Sequence, residues 1–268
     1  MATNLVPNWL RIILSILSFL SFIPQLRLVW TKKDSSDVSL NYLLLILISA
    51  TEQFTIGFFL VASHNFDTDF FVHDPRDTGD WLNLAQLTVV WIMSLVLQVI
   101  CPQTHQHILT SSKVCIMLIL LTFTKKPQDA VDPGEPSQRG WFSGIFISVH
   151  TIFVNPIVTA GIILAFCAQW QKASALSTFG LATQAVVFSL VALSWASRVR
   201  FIDALPEIPP GVPLQNLFII WYQLVGWATV DNAIFAMIQL VLFCLATHHK
   251  RGIADSFSRP EQEPLLGP

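Results

Sequence analysis

Two carboxylic acids stand inside apolar stretches of this chain of 268 residues, where a charged group is costly. Glu52 lies near the middle of LNYLLLILISATEQFTIGFFLVA, and Asp231 lies near the middle of NLFIIWYQLVGWATVDNAIFAMIQLVLF. An ionised carboxylate at the centre of a bilayer costs roughly 2.5–3.5 kcal/mol on insertion scales. Removal from water favours the neutral form of a carboxyl group. Each acid is therefore a candidate proton donor held away from solvent.

Polar residues surround the first acid. Ser49 and Thr55 each lie three positions from Glu52, on the same face of a helix. No lysine or arginine stands at a comparable depth in any apolar stretch, so a simple buried salt bridge has no candidate partner. His150, in another apolar stretch, is the only imidazole that we expect to reach either acid.

Aromatic residues flank the second acid. Trp227 precedes Asp231 by one helical turn, Phe235 follows it by one turn, and Asn232 is its neighbour in sequence. Aromatic faces stabilise cations, so this pattern suits a reaction that passes through positive charge. We expect Glu52 and Asp231 to be catalytic. The expected substrate-binding residues are Ser49, Thr55, Trp227, Asn232 and Phe235. In the simpler interpretation, each acid only hydrogen-bonds a neighbouring helix.

The elements that carry these residues are long apolar helices. The chain is 53% hydrophobic and only 12% charged, whereas a soluble domain has about a quarter charged residues. A bilayer core about 30 Å thick needs roughly 20 apolar residues of helix. Seven stretches approach that length, which predicts an all-α, polytopic membrane protein. They are 9–30, 40–62, 81–101, 108–124, 142–168, 176–197 and 215–246. Residues 1–249 form the predicted membrane domain, and 250–268 a polar tail predicted to be disordered.

Composition also excludes several classes of function. A net charge of -2 leaves no basic surface for nucleic acid. The 4 cysteines form no CxxC or Cys/His pattern, so neither a zinc site nor a disulfide framework is expected. The positive-inside rule places the C-terminus in the cytosol, with eight basic residues on that side against seven on the other. No metal, cofactor or obligate protein partner is expected.

The prolines suggest an internal repeat. Pro24-Gln25 lies in the first stretch and Asn155-Pro156 in the fifth, so kinks in corresponding helices would fit a 3+1+3 duplication. The segment SFIPQLRLVWTKKDSSDVSLNYL resembles the PQ-loop motif of repeat membrane proteins, although the second half has NPIV and KASALSTFGL instead of a second PQ pair. That resemblance implies an alternative function, the proton-coupled transport of a small solute.

A second resemblance covers more of the chain. The segments ISATEQFTIGFFL, LVGWATVDNAIFAMIQ, TKKDSSDVSLNYL and SWASRVR are similar to parts of the small seven-helix terpene cyclases of fungal meroterpenoid and indole-diterpene pathways. In that family a tryptophan usually precedes the glutamate of helix two and a glycine commonly follows the aspartate of helix seven, where this chain has Thr51 and Asn232. The resemblance implies that Glu52 and Asp231 match the acid pair of the family. It also implies protonation of an epoxide or alkene in a prenyl chain, followed by ring closure without metal.

The leading hypothesis is therefore a membrane-bound terpene cyclase of secondary metabolism, placed in the endoplasmic reticulum. Its substrate would be a lipid-soluble, prenylated small molecule of the meroterpenoid type. Cyclisation that begins with loss of pyrophosphate needs a magnesium-binding DDxxD cluster, which the sequence lacks. The DxDD motif of soluble protonating cyclases is also missing, and its nearest counterpart, Asp67-Thr-Asp69, lies in a loop. Protonation of an oxirane needs only one neutral carboxyl group.

Overall fold

The regular structure of the chain is entirely helical in the part that the computed structural model describes, namely residues 6–32, 38–62, 72, 76–101, 138–198 and 213–258. The predicted all-α class is therefore confirmed for these ranges. The α-helices are α1 (Asn8–Lys32), α2 (Leu40–Ala62), α3 (Thr78–Ile100), α4 (Gln138–Val149), α5 (Asn155–Gln169), α6 (Thr178–Arg198), α7 (Leu214–Trp221) and α8 (Trp227–Ser258).

Two π-helical turns join pairs of these helices. His150–Val154 connects α4 to α5, and Tyr222–Gly226 connects α7 to α8. Pro156 follows the first turn and lacks the backbone N–H that a regular helix would use, so the wider turn lets the helix continue past it. Turns of this kind are frequent at functional sites.

Six helical segments are long and apolar enough to cross a membrane, which gives the described chain the character of a multi-pass membrane protein. Six of the seven predicted spans overlap them, although the last, 215–246, begins twelve residues before its segment, and the remaining one, 108–124, lies outside the described residues. The six segments are Asn8–Thr31, Leu40–Ala62, Thr78–Ile100, Gly144–Ala175, Thr178–Arg198 and Trp227–Gly252.

The distribution of side chains is reversed relative to a water-soluble bundle. Large apolar residues lie on the outer surface, for example Ile157 (71% exposed) and Leu193 (69% exposed). Many polar side chains are buried between the helices, including Gln86, Gln169 and Gln239. This reversal fits a lipid environment, because a polar group turned outward there would lose its hydrogen bonds.

The helices pack closely where small residues allow it. Helix α2 packs against α3 and α5, α1 packs against α3 and α6, and α6 makes extensive contact with α8. A Cβ atom on Gly57 would lie 2.5 Å from Cδ1 of Leu87, so the glycine leaves room for the leucine side chain between α2 and α3. A larger apolar core around Phe22 and Phe188 and a smaller one around Trp195 and Trp227 fill the interior.

Side chains from elsewhere in the chain cap two of the helices. Gln25 Oε1 on α1 accepts a hydrogen bond from the backbone N–H of Ser177, just before α6 (2.9 Å). Gln169 Oε1, at the end of α5, accepts one from the backbone N–H of Ser39, just before α2 (2.7 Å). A backbone N–H at the start of a buried helix needs such a partner, so the two glutamines fix where α6 and α2 begin.

The last helix extends beyond its predicted end. Helix α8 runs to Ser258, nine residues past the boundary at 249 that composition suggests. Residues 250–258 contain no proline, and one glycine does not end a helix that is already formed. The remainder of the predicted tail, 259–268, lies outside the described residues.

Candidate functional site

Glu52 lies in the middle of α2 and contacts the one imidazole that the sequence singled out. Its Oε1 lies 2.5 Å from Nδ1 of His150, the first residue of the first π turn. Both side chains are buried. The ring of Phe146, one turn earlier on α4, lies over the imidazole with 4.1 Å between centroids. At this distance one of the two groups donates a hydrogen bond to the other.

Asp231 lies in α8 and accepts hydrogen bonds at both oxygens. The hydroxyl of Thr159 on α5 donates to Oδ1 (2.5 Å), and Gln53 Nε2 on α2 donates to Oδ2 (3.3 Å). The phenol of Tyr222, in the second π turn, lies 2.6 Å from Thr159 Oγ1. The π turn thus places the phenol at the end of a chain of hydroxyl groups that leads to the acid.

The two acids belong to one polar interior. Gln53, which donates to Asp231, is the sequence neighbour of Glu52, so α2 contributes to both groups. In the sequence, Asn155 lies between His150, which contacts Glu52, and Thr159, which contacts Asp231. Its side chain is fully buried. Several buried atoms here have no hydrogen-bond partner in the described structure. They are Glu52 Oε2, Thr55 Oγ1, and Asn155 Oδ1 and Nδ2.

A cavity reaches Asp231 from the interior of the bundle. It contains about 340 Å³ of space, and Gln53, Asp231 and Asn232 form its polar wall. Phe22, Phe188 and Phe235 form an aromatic wall, in which the rings of Phe188 and Phe235 meet edge to face with 4.7 Å between centroids. The other lining residues are Ile46, Ser49, Ala50, Val90, Ser94 and Ile162.

A second cavity of about 450 Å³ adjoins the first. The two have Phe22, Ile46, Ser94 and Phe235 in common as lining residues. The second cavity extends toward the bundle end where the capping glutamine Gln25 lies. Asp231 lines the first cavity but not the second.

The structure brings together four of the predicted site residues: Asp231, Asn232, Phe235 and Ser49 all line the first cavity. Glu52 and Thr55 are buried beside it but do not line it. Trp227 lies elsewhere, within the smaller core. Side chains lean toward the N-terminus of their helix. Trp227 therefore covers the turn before Asp231, whereas the cavity lies on the side of Asn232 and Phe235.

Sequence reasoning missed four polar residues of the site. Thr159 and Tyr222 stand in apolar surroundings where such residues are common. Asn155 precedes Pro156, and that pair was interpreted only as a sign of an internal repeat. Gln53 carried the one usable signal, because an amide beside a buried acid is unusual in an apolar helix.

The hydroxyl chain suits an acid that changes its protonation state. An ionised Asp231 accepts from Thr159, which in turn accepts from Tyr222. If Asp231 is neutral, each hydroxyl can turn and pass its hydrogen the other way, since a hydroxyl both donates and accepts. The reversal needs no movement of heavy atoms along Asp231, Thr159 and Tyr222, so this arrangement can give up and recover a proton.

No family model, curated protein or solved structure matches this chain. The contacts and cavities described above are therefore what the assignment of a function rests on.

Proposed function

We propose that the protein is a membrane-bound terpene cyclase that starts ring closure by protonating an epoxidised prenyl chain on a meroterpenoid-type substrate. The observation that carries the proposal is a buried carboxyl group, Asp231, in the lining of a mostly apolar cavity with an aromatic wall. Such a lining suits the apolar character of a prenyl chain, and the reactive end of the chain needs an acid that water does not quench.

Asp231 is the proposed proton donor because it is the acid that lines the cavity. Its proton moves to the oxirane oxygen, one C–O bond breaks, and the oxygen becomes a hydroxyl. The carbon left positive is attacked by an alkene of the same chain, which forms a C–C bond and moves the positive charge onward. Loss of a proton from the last cation forms an alkene and balances the reaction, so the product has the mass of the substrate.

The aromatic wall stabilises the positive charge as it moves. Phe22, Phe188 and Phe235 surround the space beside the acid, and each ring presents either a face or an edge to it. The face of an aromatic ring attracts a cation by roughly 0.5–2 kcal/mol, more where water is excluded. The carboxylate left on Asp231 after proton transfer lies close to the same space and contributes further stabilisation.

Glu52 and His150 form the second part of the proposed machinery. They are joined by a hydrogen bond beside the cavity, and Gln53 links them to Asp231 through the backbone of α2. We assign to this pair the supply of the proton and control of the local charge. Loss of either partner leaves the other without its buried hydrogen bond, so it should also impair proton transfer from Asp231.

We further propose seven membrane helices in a 3+1+3 arrangement, within the endoplasmic reticulum, as part of secondary metabolism. The reciprocal caps support the repeat. Gln25 of the first half caps the second helix of the second half, and Gln169 of the second half caps the second helix of the first. Gln169 therefore corresponds to Gln25, although it lacks a preceding proline. A repeat of this kind also occurs in transporters.

The test of the cyclase uses microsomes that contain the protein and an epoxyfarnesyl phenol as substrate. We expect a product of unchanged mass and altered retention. Asp231→Asn and Glu52→Gln should each lower the rate by roughly 10²–10⁴. Thr159→Val should lower it as well, since it breaks the hydroxyl chain, whereas the matched Thr88→Val should not. Thr88 bonds only a carbonyl of its own helix, that of Leu84.

Protein amount and monodispersity of each variant are measured in detergent to separate lost chemistry from lost folding. Full activity of Asp231→Asn at normal protein level would exclude Asp231 as the proton donor. Equal losses for Thr159→Val and Thr88→Val would show that the hydroxyl chain has no special role.

The second candidate function is proton-coupled transport of a small solute. The reciprocal caps and the cavity between the two halves favour it, because repeat-built transporters bind their solute at such an interface. In proteoliposomes, a pH gradient would then drive uptake of an amino acid or sugar, and Asp231→Asn would abolish uptake. Absence of such uptake, together with formation of a cyclised product, would decide for the cyclase.

A further inference from the structure

A second polar cluster lies at the opposite end of the bundle from the capping glutamines, where α1 and α3 begin and α6 ends. Arg11 on α1, Asn83 and Gln86 on α3 and Arg198 on α6 are all buried. The cyclase proposed above uses none of them. Two buried guanidinium groups close enough to share one acceptor, Asn83 Oδ1, are unusual, because their charges repel each other.

The bonds of Arg198 leave part of its guanidinium unused. Nε donates to Ser194 Oγ (2.9 Å), and Nη1 donates to Asn83 Oδ1 (2.9 Å) and Gln86 Oε1 (2.8 Å). One face of the group lies over the Trp195 ring, 4.7 Å from its centroid. Nη2 has no partner in the described structure, although the side chain is only 9% exposed.

Two more buried donors from the same cluster also lack partners among the described residues. They are Arg11 Nε and Gln86 Nε2, on side chains that are 2% and 1% exposed. Three unpartnered donors from three helices meet here, and the cluster has no unpartnered acceptor. Buried donors normally find a partner, so a cluster with donors alone calls for an acceptor that the described residues do not supply.

The charge of Arg198, unlike that of Arg11, is not offset by an acid of the described cluster. Asp77 and Asp80 act electrostatically on Arg11, and each also accepts a backbone N–H at the start of α3. The charged residue that acts on Arg198 is Arg11, another cation. The hydrogen bonds of Arg198 go to neutral oxygen atoms, so within the described part of the chain the charge of Arg198 has no counter-ion.

We propose that this cluster binds a phosphate group, with Arg198 Nη2, Gln86 Nε2 and Arg11 Nε as donors. A guanidinium suits phosphate because its N–H groups form a fixed fork. The cluster stands where an apolar helix ends, which is the level of lipid headgroups in a membrane. The phosphate comes either from a phospholipid or from a soluble phosphate compound. This site is independent of the cyclase proposal, since it lies apart from Glu52 and Asp231.

The test measures thermal unfolding of the full chain in lipid-free detergent. Sodium phosphate should raise the midpoint of unfolding more than sodium chloride of equal ionic strength does. The increase should saturate as the phosphate concentration rises. Arg198→Gln should raise the half-saturating phosphate concentration roughly tenfold or more. The matched control is Arg27→Gln, which removes an exposed arginine on α1 and should leave the response unchanged.

Gln86→Glu gives the sharper test, because it places a carboxylate beside Arg198 with little change in shape. It should raise the midpoint without phosphate and abolish the response to phosphate. This variant also keeps the proposal testable if Arg198→Gln does not fold. The proposal is overturned if phosphate and phosphatidic acid both fail to stabilise the protein, or if Gln86→Glu responds to phosphate as the unaltered chain does.

A second arm identifies the source of the phosphate. Mixed micelles with phosphatidic acid are compared with micelles that contain diacylglycerol, which lacks the phosphate. Stabilisation by phosphatidic acid alone, lost in Gln86→Glu, assigns a lipid headgroup. Stabilisation by inorganic phosphate, with phosphatidic acid no better than diacylglycerol, assigns a soluble phosphate compound.

Discussion

The contact between Glu52 and His150 makes a quantitative prediction about stability. Both side chains are buried, and their heteroatoms lie 2.5 Å apart. Removing one partner of a buried pair leaves the other uncompensated, which costs about 3–5 kcal/mol. Glu52→Leu and His150→Phe should each lower the free energy of unfolding by about that amount. The double variant should lie within roughly 1.5 kcal/mol of the unaltered chain, because two apolar side chains can replace a buried pair at little cost.

The measurement is a double-mutant cycle on thermal or denaturant unfolding in detergent. The control cycle combines Glu52→Leu with Tyr42→Phe. Tyr42 lies ten residues earlier on α2, which is about 15 Å along the helix, and its phenol accepts from Gln239. That cycle should be additive to within about 0.5 kcal/mol. Additive effects of Glu52→Leu and His150→Phe would refute the coupling, and with it the role of the pair in proton supply.

Three further predictions concern the elements that position the site. Gln25→Ala and Gln169→Ala should each lower the free energy of unfolding by about 1 kcal/mol, because each removes the cap of one helix. Equal shifts of the unfolding midpoint would support the internal repeat. Destabilisation by only one of the two variants would oppose it. Gly226→Ala should lower the free energy of unfolding by about 1–3 kcal/mol, since a Cβ there would lie 2.6 Å from the indole ring of Trp221. The control is Gly144→Ala, whose Cβ would have no neighbour within 4 Å in the described structure. It should be neutral or stabilising in the same unfolding assay. Tyr222→Phe should cost about 1 kcal/mol and slow cyclisation less than loss of the acid does; unchanged turnover would exclude the phenol from the proton path.

The buried polar network explains why a bundle in lipid adopts one arrangement. Lipid tails are as apolar as the helix surfaces, so apolar burial contributes little to helix association in a membrane. Specific bonds must therefore distinguish one packing from another. The contacts of Gln169 with Ser39 and of Gln239 with Tyr42 join helices far apart in sequence and fix their register.

Part of the site was predictable from single residues. An acid in an apolar stretch stands out in any sequence because lipid penalises it, and this identified Glu52 and Asp231. His150 was identified as a partner because it is the one imidazole at a comparable depth. Thr159 and Tyr222 were not predictable, because hydroxyl groups that bond their own backbone are common in apolar helices. Nothing in the sequence distinguishes the few that bond an acid.

The sequence by itself determined the class of fold and the approximate positions of six described spans, because the length and apolar character of a membrane helix follow from local composition; the start of the last span, after the π turn Tyr222–Gly226, was not among them. It also singled out two of the three acids that are buried in the described residues, Glu52 and Asp231, but not Asp80. The tertiary structure decided which acid lines the cavity and paired Glu52 with His150 and Asp231 with Thr159. It also moved Trp227 out of the site and gathered Arg11 and Arg198 into one cluster. These features depend on how helices rotate and pack against distant segments, and that arrangement is a property of the whole bundle rather than of any one stretch.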